Sequence, residues 1–60
     1  MFDLKDAREA KGMTQEELAK RVGVTRQAIG NYETGVHKPV VSVAKMIAKE
    51  LDFDWTRIYD

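Results

Sequence analysis

The chain has 60 residues, with ten Lys+Arg against ten Asp+Glu and a net charge of zero, which allows one domain, residues 1–60, near the lower size limit for folding alone. A 43% apolar share with one proline and four glycines is that of an ordered chain, and zero cysteines exclude disulfides, thiolate metal sites and thiol nucleophiles. A single histidine, His37, rules out a multi-histidine metal site, and no apolar run approaches the ~20 residues that span a bilayer.

The expectation is a small, helical, cytoplasmic protein without a metal or other cofactor. Periodicity is helical throughout, and strict alternation never lasts long enough for a strand. Asp3 can cap a first helix with Leu4 and Ala7 facing inward, ending at Gly12. Thr14-Gln15-Glu16-Glu17 has the form of a capping box, so a second helix starts here, with Leu18, Ala19 and Val22 inside. Gly23 follows, where a positive φ costs little. Thr25 can cap a third helix that buries Ile29 and Tyr32 and ends at Thr34-Gly35. Val36 to Pro39 reads as a loop. A fourth helix is expected over 41–51, with Val41, Ala44, Ile47, Ala48 and Leu51 on one stripe. Asp54 can cap a last short turn carrying Ile58, with Phe53 packed beside it.

Residues 15–34 are the informative part. Two short helices joined by a three- or four-residue turn must cross at roughly 90–120°. A small residue is needed at the contact, and Ala19 is there. The turn needs a residue tolerant of positive φ, and Gly23 is there. Leu18, Val22, Val24 and Ile29 are spaced to fill the crossing. The third helix has a polar outer face with no acid before Glu33. Arg26, Gln27 and Asn31 project from it, and Gly30 opens a gap in it. Arginine can bond guanine O6 and N7, and Gln or Asn can bond adenine N6 and N7.

Charge is segregated along the chain. Residues 1–19 sum to −2, with Lys5, Arg8 and Lys11 against Asp3, Asp6, Glu9, Glu16 and Glu17. Residues 20–38 sum to +3, with Lys20, Arg21, Arg26 and Lys38 against Glu33. Lys45 and Lys49 give +2 over residues 39–49. Residues 50–60 sum to −3, with Arg57 against Glu50, Asp52, Asp54 and Asp60. The middle is basic and the ends are acidic.

Gln15-Glu16-Glu17-Leu18-Ala19, Val22-Gly23-Val24-Thr25-Arg26-Gln27, and Tyr32-Glu33-Thr34-Gly35 followed by Pro39 resemble the Cro/C1-type helix-turn-helix family, the lambda-repressor-like domains, from Leu4 to Ile58. The resemblance implies an all-α, compact five-helix domain, with its helix-turn-helix at about residues 15–34 and its third helix in the major groove of DNA. It implies base reading by Arg26, Gln27 and Asn31, and phosphate contacts from Gln15, Thr25, Thr34, His37 and Lys38. It also implies a partly buried ion pair between Arg8 and Glu33. Two departures stand out. Val40 occupies the place of a Ser/Thr cap, so the fourth helix is capped poorly or by Ser42. Val40, Val43 and Met46 form a second apolar stripe, which Trp55 and Tyr59 extend. That stripe is either extra core or a self-association surface.

Self-association has an energetic motive. Specific DNA sites bind roughly 10³–10⁷ tighter than random DNA, about 4–10 kcal/mol. Three base-reading residues at about 1–3 kcal/mol each reach the lower part of that range. Two copies on a two-fold site roughly double the discrimination. The expected partners are therefore an operator in double-stranded DNA and a second copy of the chain, with no membrane and no small-molecule ligand. The expected activity is a transcription regulator, a repressor in particular, since a small domain blocking a promoter needs no further parts. An enzyme is not expected: Glu16 and Glu17 are adjacent on a helix and point apart, and no glycine-rich phosphate loop is present. The other reading is an interaction module, such as an antitoxin or anti-repressor whose main partner is a protein, which the acidic C-terminal block with Trp55 and Tyr59 would suit.

Overall fold

Helix starts in this chain are set by short polar side chains that satisfy amides the first turn leaves free. In the computed structural model, which describes residues 1–60, Asp3 accepts from the Asp6 amide at 3.1 Å and opens α1 (Leu4–Ala10). Thr14 and Glu17 bond reciprocally, at 3.0 and 3.2 Å, and open α2 (Gln15–Val22). Thr25 accepts from the Ala28 amide at 3.1 Å and opens α3 (Arg26–Thr34). Asp54 accepts from the amide and the hydroxyl of Thr56, at 3.0 and 2.8 Å, and opens a 3-10 helix, Trp55–Tyr59. Only α4 (Val41–Leu51) lacks a side-chain cap: Val40 stands at the N-cap and Ser42 does not substitute for it.

The fold is all-α, as the resemblance implied, with one difference in count. It has four α-helices, and the fifth element is a five-residue 3-10 helix. No helix is long and apolar enough to cross a membrane.

The core is one cluster contributed by every element. Leu18, Ile29, Ala44 and Ile47 are fully enclosed, and Leu4, Ala19, Val22, Leu51 and Ile58 close around them. Each fully buried Leu or Ile contributes about 1.5–3 kcal/mol relative to an exposed one. α2 packs on both α3 and α4, α1 packs on α3, and α4 packs on the 3-10 helix. Gly23 takes φ +75° at the end of α2, a left-handed conformation that turns the chain at once into α3. Ala19 is buried at the crossing, and its carbonyl accepts from the Val24 amide at 3.0 Å, which pins the turn.

Two expectations about burial change. Val41 is 47% exposed, not part of the core stripe. It is the first residue of α4, where no preceding turn covers it, and the stripe begins at Ala44. Tyr32 is only half-buried against the core, because α3 has solvent on one flank. Phe53 packs against the core as expected, and its ring lies 4.5 Å from that of Phe2.

Candidate nucleic-acid interface

The α3 cap at Thr25 decides which side chains leave the domain. With the helix starting at Arg26 and Ile29 pointing into the core, Arg26 and Gln27 fall on the exposed flank and Asn31 is half-buried one turn on. Arg26, Gln27 and Asn31 thus share an outer face. The Asn31 carbonyl accepts from the His37 amide at 3.3 Å and from the Thr34 hydroxyl at 3.3 Å. The end of α3 and the loop after it are therefore one hydrogen-bonded unit.

A polar chain runs beneath this face. Arg8 Nε donates to Glu33 Oε2 at 2.6 Å, with side chains only 8% and 4% exposed. Arg8 Nη1 donates to the Met13 carbonyl at 2.6 Å. Burial would lower the Arg8 pKa, but the hydrogen bond to Glu33 outweighs it and holds the guanidinium above its ordinary range. Glu33 Oε1 accepts from Gln15 Nε2 at 3.0 Å, and Gln15 Oε1 accepts from Arg26 Nη1 at 3.3 Å. Arg8, Glu33, Gln15 and Arg26 thus form one relay from α1 to the exposed end of α3. The expected Arg8–Glu33 pair is present.

Gln15 is the first residue of α2. Its amide nitrogen faces Glu33 and its carbonyl oxygen faces out to Arg26. A shallow open depression lined by Arg8, Thr14, Gln15, Glu16 and Arg26 lies here, with no hydrophobic wall. Thr25 is exposed, and its hydroxyl oxygen serves as the α3 cap. Thr34 and His37 are exposed beside α3. Lys38 stands apart from them: its ammonium donates to the Ile58 carbonyl at 3.3 Å.

Tyr59 returns the tie, donating its hydroxyl to the Pro39 carbonyl at 2.6 Å. The loop and the C-terminal turn are thereby clasped in both directions. A lysine and a tyrosine 21 positions apart carry no local pattern, so sequence reasoning had no signal for this clasp. The Gln15–Glu33 bond, between residues 18 positions apart on α2 and α3, carries no local signal either.

The second apolar stripe divides. Val43 and Trp55 pack against the core, Trp55 beneath the Lys45 ammonium at 5.2 Å. Val40 at 66%, Met46 at 43% and Tyr59 at 39% remain exposed. Part of the stripe is therefore core, and part is open apolar surface.

A helix-turn-helix family model matches residues 4–58, which is nearly the whole chain. The chain belongs to this family. It is of the Cro/C1 type, a family of DNA-binding transcription regulators and not of enzymes. An HTH-type transcriptional regulator of Bacillus subtilis, YqaF, is 44% identical over 57 residues, covering 95% of this chain and 75% of that protein. One from Methanothermobacter thermautotrophicus is 48% identical over 48 residues, covering 80% of this chain and 70% of that one. An HTH-type transcriptional regulatory protein of Methanocaldococcus jannaschii is 47% identical over 49 residues, covering 82% of this chain but 15% of its own length. The same module thus also serves as a minor part of a longer chain. No solved structure gives a significant match.

Proposed function

We propose that the protein is a sequence-specific repressor that binds a two-fold operator as a homodimer, with α3 in the major groove. The observation that carries this reading is the outer face of α3. Arg26 and Gln27 are exposed, Asn31 lies one turn on, and no carboxylate pairs with Arg26. Arg26 is held only by the neutral carbonyl of Gln15, so its charge stays available to a guanine edge. Arg26, Gln27 and Asn31 read bases. Gln15, Thr25, Thr34, His37 and Lys38 meet phosphates on either side. Gln15 retains one amide hydrogen for that contact, and Lys38 exchanges the Ile58 carbonyl for an anion.

The dimer surface is the exposed part of the second stripe, Val40, Met46 and Tyr59, backed by Val43 and Trp55. Size supports it. The domain measures 23 × 21 × 19 Å, so two touching copies have centres about 20 Å apart. Two copies side by side are thus of a size to place one α3 in each of two half-sites separated by one DNA turn, roughly 34 Å.

The test uses duplexes recovered by the wild type from random-sequence DNA at fixed salt. Arg26→Ala should change the preferred base at one position of each half-site, and Lys38→Ala should weaken all sequences alike and lower the salt slope by about 1. Wild-type binding by both variants sinks the proposed interface. Met46→Glu should give a monomer in sedimentation with unchanged helicity. Trp55→Ala is a poorer probe, because Trp55 packs against the core and its loss would also loosen the fold. A wild type that sediments as a monomer both free and on its selected duplex removes the dimer.

A further inference from the structure

We propose that Gly30 is the point where DNA approaches α3 most closely, and that the residue at position 30 helps to set how deeply the helix seats and so which sequences are accepted. This rests on the α3 reading above.

Three of the four glycines sit where the backbone requires them. Gly12, Gly23 and Gly35 have φ of +68°, +75° and +82°, and each follows or ends a helix where the chain must turn. Their identity is explained by the backbone. Gly30 is different. It lies inside α3, in helical conformation, where glycine is a poor residue because it loses the most chain entropy.

Packing does not require it either. A Cβ built at Gly30 would meet only Gln15 Nε2, at 3.8 Å, an ordinary van der Waals contact. The fold has room for alanine and would gain from it. What the missing side chain provides therefore lies outside the domain.

Position 30 is one turn after Arg26 and adjacent to Asn31, so it is framed by residues assigned to base reading. No large apolar side chain is exposed on α3, which gives the gap no protein-facing role there. A helix without a Cβ at this point can bring its backbone nearer to a base edge or sugar. Depth matters to readout, because Gln27 and Asn31 reach bases only when the helix is seated.

The decisive variant is Gly30→Ala, compared with wild type and Arg26→Ala on duplexes selected by the wild type. Its thermal midpoint should rise by roughly 2–8 °C. Its affinity for the selected duplex should fall about tenfold or more, as for one wrong base pair. The salt slope should stay unchanged, since a steric contact neutralises no phosphate. Equal affinity for the selected duplex overturns the proposal, and so does a lowered midpoint, which would show that the fold itself needs the glycine. If Arg26→Ala loses base discrimination while Gly30→Ala binds as wild type, only the role of Gly30 fails. If both bind as wild type, the α3 interface fails with it.

Discussion

Removing the Glu33 carboxylate should reveal how much of this small fold hangs on one buried ion pair. Arg8 and Glu33 are 8% and 4% exposed at their side chains and meet at 2.6 Å. Glu33→Ala would leave a guanidinium buried with only the Met13 carbonyl as partner. Breaking such a pair costs about 3–5 kcal/mol. A 60-residue domain has in all about 3–9 kcal/mol at roughly 0.05–0.15 per residue. Glu33→Ala is therefore expected to be largely unfolded.

Two milder variants make the reasoning quantitative. Glu33→Gln keeps the shape and loses the charge, and one of its two amide atoms must turn a donor toward a donor. It should cost about 1.5–3 kcal/mol. The double variant Arg8→Met/Glu33→Leu fills the same space without charge and should lie within about 1 kcal/mol of wild type. Urea denaturation followed by circular dichroism gives these two values and those of the single variants Arg8→Met and Glu33→Leu. If Glu33→Gln costs less than about 0.5 kcal/mol, or if the double variant costs the sum of the two single ones, the pair is not the coupled unit described. The raised Arg8 pKa adds a check of sign. Its contribution is fully present below the unfolded arginine value and is lost only as pH rises through the folded one. Stability at alkaline pH short of arginine titration should therefore not fall on account of Arg8.

Other predictions follow from single positions. Val40→Ser should stabilise the protein by about 1 kcal/mol by supplying the missing α4 cap, measured at dilutions where association is absent, while weakening any dimer that uses Val40. Asp52→Asn should stabilise by about 0.5 kcal/mol: position 52 has φ 64°, which Asn tolerates, and a negative charge at a helix C-terminus is unfavourable. The 4.0 Å contact it gives up with Lys11 is exposed and contributes little. Asp54 has its pKa lowered from 3.8, first by the Thr56 amide and then by the Thr56 hydroxyl. Its contribution is present above 3.8 and is lost as pH falls through the lower folded value, so Trp55 fluorescence should change there in wild type and not in Asp54→Asn. Ile47→Ala should cost about 2–5 kcal/mol in urea denaturation, because Ile47 is fully enclosed. An equal stability would mean that the core is not arranged around it.

What could be read from the sequence was local. The caps at Asp3, Thr14, Thr25 and Asp54 are signalled within three residues, and all four are present. The glycine turns and the Ala44–Leu51 stripe are likewise short-range patterns. Val41 was misjudged because periodicity assigns a face but not what covers it, and a first-turn residue has no turn before it. The site was legible in its residue types, since exposure of Arg26 and Gln27 follows from the α3 register. Apart from the Arg8–Glu33 pair, which the family resemblance implied, long-range polar ties were not legible. That Gln15 turns its nitrogen to Glu33 and its oxygen to Arg26, or that Lys38 reaches Ile58, depends on where three elements meet.

The zero net charge acquires a spatial meaning from those ties. Four of the acids lie within 4.0 Å of a base, Asp52 of Lys11, Glu16 of Lys20, Glu50 of Arg21 and Asp60 of Arg57, in exposed contacts that contribute little. Glu33, the one acid in α3, is consumed by Arg8 and Gln15. Arg26, Lys38, Lys45 and Lys49 have no carboxylate partner, although Lys38 is held by the Ile58 carbonyl and Lys45 lies over Trp55. The charge of Arg26, at the exposed start of α3, is thus not cancelled by a contacting carboxylate, while the molecule as a whole is neutral. Long-range attraction to phosphates depends on the whole field, and this cancels beyond about 10 Å at ordinary salt. Contact energy depends on the local charge, and this does not. Binding to random DNA should accordingly be weak and steep only at short range. The ratio of selected to random affinity should then exceed that of a variant made more basic at Asp52 and Asp60, although the variant binds both DNAs more tightly. A variant that gains equally on both, leaving the ratio unchanged, would show that segregation of charge contributes nothing to selectivity.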